Sequence, residues 1–476
     1  MKKSKIIYAI VFLLFITSCY FVYVEKNIVQ VSFKGSSLIF ISGHIADTFT
    51  NIPDGIIVMD KSTGKIKWVG EKNRIEILPE NFYLESKGVI YPGFIDSHNH
   101  PSYNFLKRWR PDEVFQNRYE WSRKKDYKEL MVGRKTFTRS GDLMLVAEKY
   151  AELKALISGT TMIQGCSLRS GLKTLVRNMD HYNRVVDDHI TTSIFPLQPR
   201  ELKRAPSIVH KIESGQSKYH LVHLGEGIDE SSKEEFYTLK ENGLIRPGLV
   251  IIHGTAFDKE EFDIMAENNI GLVWSPMSNY VLYGTGTKAD IAKQCGLTIS
   301  LAPDWSITGS DNMLDEFKFA WEVNLKQFNG FFTEKDLFDM MTWNPAKITG
   351  FEEYIGALKP GMEADIVIYS KKDSNPYKNL LHCNLTDVNL VMIKAEPFYG
   401  EIEYLERFGK KEDYEILAIN KDIKKAIDIT DPSLEENVPD SEMRLYEMMD
   451  TLIKAYPETL PLADGVGLYQ NKKVLP

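Results

Sequence analysis

The strongest constraint in this chain is an alternation. Seven short apolar runs recur between Val89 and Leu301, spaced so that a helix fits after each. They are Val89 to Ile95, Thr160 to Gln164, Ile190 to Phe195, Tyr219 to Leu224, Leu249 to His253, Gly271 to Trp274 and Thr298 to Leu301. Helical segments such as Lys259 to Glu267, opened by Asp258 and Glu261 as a capping box, fill the gaps. Strands separated by helices pair in parallel, and this many repeats predict an α/β chain closed into a (β/α)8 TIM-like barrel. The eighth strand has no visible run, and the widest unexplained interval, Phe195 to Tyr219, is where it is expected. With 43% hydrophobic and 26% charged residues the composition is that of a globular protein, which excludes a disordered chain. A net charge of −8 leaves no basic excess for a phosphate backbone, so nucleic acid is not the expected partner.

Both flanks of the alternation have a different texture. Gly55 to Met59 and Lys65 to Val69 surround Asp60-Lys-Ser-Thr-Gly64, a hairpin with its turn residues in place. Gly356 to Tyr369 and Val388 to Ile393 return to turn-and-strand character after the barrel. Near the C-terminus, Leu445, Met448, Met449, Leu452, Ile453 and Tyr456 form a helical stripe that should dock on the protein. The four cysteines are too few and scattered for a disulfide framework.

At the N-terminus, Met-Lys-Lys-Ser-Lys5 precedes an uncharged stretch from Ile6 to Val24, the pattern of an export signal. Within it, Ile16-Thr-Ser-Cys19 has the form of a bacterial lipobox, in which Cys19 would be lipidated. Tyr20 to Val24 stays apolar where a polar tether is usual, so an uncleaved single-span anchor is the alternative and plain secretion a third. All three place the body outside the cytoplasm, with a membrane contact through the N-terminal segment in the first two.

The chemistry concentrates at strand ends. Pro92-Gly-Phe-Ile-Asp-Ser-His98-Asn-His100 puts two imidazoles at i and i+2, on one face and at the end of a strand where barrel active sites form. In His220-Leu-Val-His223-Leu-Gly-Glu226 only one histidine can face inward. If it is His223, then His220 faces the helices, and a break at Leu224-Gly225 lets the Glu226 carboxylate fold back over the mouth. Val250-Ile-Ile-His253 and Ser300-Leu-Ala-Pro-Asp304 are apolar runs ending in a histidine and a carboxylate. Each alone reads equally well as a solvated strand end or a helix cap. Their order around one barrel mouth argues for a divalent cation and a neighbouring acid.

These residues, with Trp274-Ser-Pro-Met-Ser-Asn279, Asn344-Pro-Ala346 and Gly361-Met-Glu-Ala-Asp-Ile-Val-Ile368, resemble the metal-dependent amidohydrolase superfamily. The likeness runs from about Leu38 to Gly400 and is nearest the branch of cytosine and guanine deaminases, triazine hydrolases and imidazolonepropionase. It implies that His98, His100, His223 and Asp304 hold one divalent metal, with zinc favoured and iron or manganese compatible. It further implies that Glu226 shuttles protons and that His253, with Asp304, orients the attacking water. The reaction would be hydrolysis of a C–N bond, by cyclic-amide opening or deamination of a small nitrogen heterocycle. Binuclear relatives add a lysine from strand four; Ile190 to Phe195 has none, which favours a single metal. The implied organisation is an N-terminal signal or anchor (1–25) and a small β-sandwich domain built from residues 34–91 and 348–405. That domain flanks a barrel over 92–347, and a helical tail follows over 406–476. Two other readings remain: a binuclear lactonase or phosphotriesterase-like hydrolase on the same barrel, and a surface binding protein without catalysis.

The segment after the first strand is rich in aromatics and arginine, which suits a planar small-molecule substrate. Tyr103, Asn104, Trp109, Arg118, Trp274, Asn279 and Trp305 are the expected substrate contacts, with Arg118 placed to meet a carboxylate or carbonyl. The oligomeric state is not legible.

Overall fold

A computed structural model describes residues 21–25, 28–33, 35–165, 175–180, 189–194, 203, 205–410, 414–429, 444–462, 467–470 and 473–475. Residues 1–20, including Cys19, lie outside this set. Among the described residues no helix is long and apolar enough to cross a membrane.

The barrel strands follow the chain: Phe94–Asp96, Thr160–Ile163, Arg177–Asn178, His189–Ile194, Ser217–Leu224, Leu249–His253, Gly271–Trp274 and Ile299–Leu301. The first three pair in parallel in that order, as do the last five. The first and last strands meet at the mouth, where Asn99 bridges Asp304 and the His100 amide donates to the Asp304 carbonyl at 2.8 Å. The expected position of the eighth strand is corrected here. Among the described residues it is the third strand, Arg177–Asn178, whereas those between Phe195 and Ser217 form the helix Ala205–Glu213. Two residues leave no periodicity to read, and Arg177 is a poor strand-core residue by type. It is fully buried because Glu363 and Asp365 both pair with its guanidinium, at 2.9 and 2.5 Å. The strand carrying Ile190 is therefore strand four.

Alternate residues of the strands fill the barrel. Ile95, Met162, Leu221, Val250, Ile252, Val273 and Ala302 form one inner cluster, which continues into Ala346, Ile348, Phe351 and Ile355. The helix Trp343–Thr349 thereby closes the end opposite the mouth, and Asn344 Nδ2 donates to the carbonyl of Ile299 at 2.8 Å. Val222, Leu224, Leu272 and Trp274, on the other face, pack outward against the helices.

Both flanks of the barrel enter one eleven-stranded sheet. It includes Leu38–Ala46, Asn51–Asp60, Lys65–Glu71 and Phe82–Pro92 from before the barrel, and Ile366–Tyr369, Val388–Ile393 and Glu396–Gly400 from after it. The expected helical tail is also corrected. Glu415–Ala418, Lys424–Ile427, Gly467–Gln470 and Lys473–Leu475 extend this same sheet, and the tail's one described helix is Leu445–Ala455. Its stripe docks as expected through Leu445, Met448, Met449 and Leu452, although Ile453 is exposed.

Candidate active site

The mouth is assembled from strand ends whose backbones turn abruptly. On strand six Ile252 points into the barrel, so simple alternation would send His253 outward. His253 instead takes φ 73°, and Asp304 takes φ 69°. A left-handed backbone in a residue with a side chain costs about 1–3 kcal/mol and persists only where the surroundings impose it. Here it brings both groups to the mouth. The break after His223 is Gly225, at φ 61°, where an added Cβ would lie 2.5 Å from the Phe257 ring. Glycine is required at that turn, which sets Glu226 over the site.

Four side chains converge. His98 Nε2 lies 3.0 Å and His100 Nε2 3.4 Å from Asp304 Oδ1, and His223 Nε2 lies 3.2 Å from His100 Nε2. Ligand atoms of His98, His100 and Asp304 sit within 4.8 Å of one another, as do those of His98, His223 and His253. Burial drives His100 down to about 4, His253 to about 3 and His223 well below the usual imidazole range, so these rings are neutral donors at pH 7. Burial pushes the Asp304 carboxyl up, but the His98 hydrogen bond and the electrostatic influence of the surrounding imidazoles outweigh it and hold the group well below the usual carboxylate range.

This donor set fits a divalent ion. Two neutral ring nitrogens face each other across 3.2 Å, and among the described residues the buried His98 Nδ1 has no hydrogen-bond partner. In a tetrahedral site with bonds of about 2.0–2.1 Å, adjacent ligands are about 3.3 Å apart, close to the separations seen here. His98, His100, His223 and Asp304 would hold the ion.

Glu226 stands beside them. Its Oε1 accepts from the Tyr283 hydroxyl at 2.8 Å, and its Oε2 lies 3.8 Å from His253 Nε2. Burial raises its carboxyl to about 7, where it can both hold and release a proton. Asn279 Nδ2 donates to His253 Nδ1 at 3.2 Å, which places the ring hydrogen on Nε2, toward the site. Ser278 donates to Asp304 Oδ2 at 2.6 Å.

A cavity of about 230 Å³ opens over the cluster. His100, His223, Glu226, His253 and Asp304 form one side; Tyr103, Trp121, Tyr127 and Trp305 form an aromatic side, with Arg118, Tyr119 and Ser122 between. Of the expected substrate contacts, Tyr103, Arg118 and Trp305 line this cavity. Four do not. Trp274 is buried in the outer layer, 5.9 and 6.2 Å from the Phe328 and Phe332 rings. Trp109 packs behind the wall on Phe115, its indole N–H bonded to Asp126. Asn104 is spent on Asn99 and the Ser306 amide, and Asn279 serves His253. Arg118 reaches the cavity with its charge already engaged by the buried Glu235 at 2.9 Å. Trp121, Tyr127, Ser278 and Tyr283 were not anticipated. Ser278 lies within the Trp274-Ser-Pro-Met-Ser-Asn279 run, but nothing in the local pattern of the other three marks their direction.

The amidohydrolase family model matches residues 206–398. Among curated proteins, the chain is 23% identical over 359 residues to 5-methylthioadenosine/S-adenosylhomocysteine deaminase 1 of Archaeoglobus fulgidus, covering 65% of this chain and 82% of that one. It is 22% identical over 453 residues to the corresponding deaminase of Caldicellulosiruptor saccharolyticus, covering 84% and 99%. Among solved structures, an adenosine deaminase from Xanthomonas campestris with bound zinc superposes with TM-score 0.61 at 15% identity, covering 75% of this chain and 92% of that one. An atrazine chlorohydrolase variant of Arthrobacter aurescens, complexed with zinc and atraton, superposes with TM-score 0.62 at 13% identity, covering 88% and 99%. Barrel, cluster and likenesses agree on one class, a metal-dependent hydrolase acting on carbon–nitrogen bonds. The findings support a place in the metal-dependent amidohydrolase superfamily, with similarity to its deaminases and triazine hydrolases.

Proposed function

We propose that this protein deaminates an amino-substituted nitrogen heterocycle, with a purine nucleoside as the first candidate, using a single zinc ion. The observation that carries this reading is the placement of Glu226, a carboxyl lifted to about 7 between the His/Asp cluster and an aromatic wall. The curated relatives named above are deaminases of adenosine derivatives, which makes the purine the natural choice.

When bound, such an ion lowers the pKa of water from 15.7 toward about 7 and so supplies a nucleophile at neutral pH. The protein's own groups do the rest. Tyr103, Trp121, Tyr127 and Trp305 hold a flat ring and exclude water. His253 Nε2–H donates to the oxygen that develops negative charge at the attacked carbon. Glu226 takes a proton at Oε2 and delivers it to the departing amine, which leaves poorly as an anion. Asp304, fixed by Ser278, accepts a hydrogen bond from the incoming water. The absence of lysine from strand four supports one metal over two. The test is ammonia release from adenosine, 5′-methylthioadenosine, S-adenosylhomocysteine, guanine and aminated triazines by the zinc-loaded protein. Turnover of a purine supports the reading. Hydrolysis of lactones or phosphotriesters without any ammonia release would sink it.

We also propose export, with Cys19 lipidated to hold the barrel at a membrane surface. Its support is the basic start, the apolar run and the small residues before Cys19. Palmitate labelling in a bacterial host should mark the wild type and not Cys19→Ser; equal labelling of both would refute it.

A further inference from the structure

Glu226 is gripped from one short turn, Arg118–Trp121, in the loop after the first barrel strand. At one end of the turn, the Arg118 amide donates to the Glu226 carbonyl at 3.2 Å. The Arg118 guanidinium pairs with Glu235, whose other oxygen accepts from the Gly225 amide at 2.9 Å. The backbone kink that aims Glu226 is thus fixed by Arg118. At the other end, Trp121 Nε1–H donates to the Tyr283 hydroxyl at 2.9 Å, and that hydroxyl donates to Glu226 Oε1 at 2.8 Å.

This last chain joins three elements. Trp121 belongs to the loop after strand one, Tyr283 to the helix Pro276–Tyr283 after strand seven, and Glu226 to the end of strand five. Tyr283 is 2% exposed and does not line the cavity, whereas Trp121 does, 5.7 Å from the Trp305 ring. The phenol has one hydrogen, so accepting from Trp121 leaves that hydrogen directed at Glu226. With Oε1 held, Oε2 is the oxygen free to face His253 and the cavity. The same helix carries Ser278 and Asn279, so one rigid turn orients Asp304, His253 and Glu226 together.

We propose that Tyr283 is the positioning residue for Glu226, and that Trp121 ties the substrate wall to it through the Trp121–Tyr283–Glu226 hydrogen-bond chain. The proposal rests on the reading of Glu226 as the proton carrier. A hydrogen bond to a carboxylate is typically worth about a 10- to 100-fold effect. Tyr283→Phe should therefore lower kcat by about that factor on the best purine of the panel, with KM and zinc content unchanged. Trp121→Phe keeps an aromatic ring on the wall but removes the N–H, and should lower kcat by about 3- to 10-fold. In a Glu226→Gln background both substitutions should cost less than about 2-fold, because they act through the carboxylate. Equal losses in both backgrounds, or a loss confined to KM, would overturn the proposal. Wild-type turnover by Glu226→Gln itself would instead refute the role given to Glu226. A readout independent of turnover is the crystal structure of the metal-free Tyr283→Phe protein, in which the Glu226 carboxylate should leave its present position. A carboxylate that stays in place would also overturn the proposal.

Discussion

The two sides of the cavity were built by different means. The donor side stands on strand ends: His98 and His100 after strand one, His223 at strand five, His253 at strand six and Asp304 after strand eight. The aromatic side comes from residues 101–127 and the turn after Asp304, where no sheet fixes direction. A ladder dictates which way a residue points up to the strand's end, as at His223, and the sharp turns at His253 and Asp304 complete the set from there. A loop dictates nothing of the kind, and its aromatic residues divide between the cavity and the packing behind it. Tyr103 and Trp305 face the cavity, while Trp109 packs behind the wall against Trp121 and Tyr127. The lesson is that donor-side substitutions should act on chemistry, whereas wall substitutions should act on binding or on stability.

The largest effect belongs to the donor side. Glu226→Gln should lower kcat by about 10²- to 10⁴-fold with zinc retained, read by steady-state kinetics and metal content. Arg118→Met comes next and probes the wall's support. It would leave Glu235 buried beside an empty partner position, and a broken buried pair costs about 3–5 kcal/mol, measurable by urea unfolding. A stable Arg118→Met protein with only a raised KM would make Arg118 a substrate contact after all.

Trp305→Ala should raise KM by about 10-fold with little change in kcat, while Trp274→Phe should leave KM alone, since that ring lies in the outer layer. The smallest effect is a pH dependence at the clamp between the loops after strands seven and eight. Glu316 is fully buried, accepts from the Met277 amide at 3.0 Å and from Ser310, and burial lifts it to about 8. A folded-state value above the unfolded one means the folded protein binds more protons. Its contribution to stability is therefore complete below about pH 4.5 and is lost as pH rises through 8. Glu316→Gln should flatten the fall in Tm between pH 5.5 and 8.5.

How much of this was legible follows the same division. Leu249–His253 and Gly271–Trp274 were readable to the residue because apolar runs bounded by turn signals leave few alternatives. Arg177–Asn178 was not, because a buried arginine satisfied by Glu363 and Asp365 depends on residues nearly two hundred positions away. Trp274 was misread for want of parity: Val273 fills the barrel, so its neighbour must face the helices. His253 breaks that rule, and only its left-handed backbone explains why. Tyr283 lay hidden for a related reason, being five residues past Ser278 on a helix whose orientation the sequence does not state.

The central claim is one divalent ion held by His98, His100, His223 and Asp304, with Glu226 outside the ligand set. Metal-to-protein ratios by mass spectrometry of the purified wild type, His98→Ala and Glu226→Gln test it most directly. The account predicts about one ion in the wild type and in Glu226→Gln, and close to none in His98→Ala. Two ions in the wild type, or a full complement in His98→Ala, would contradict it.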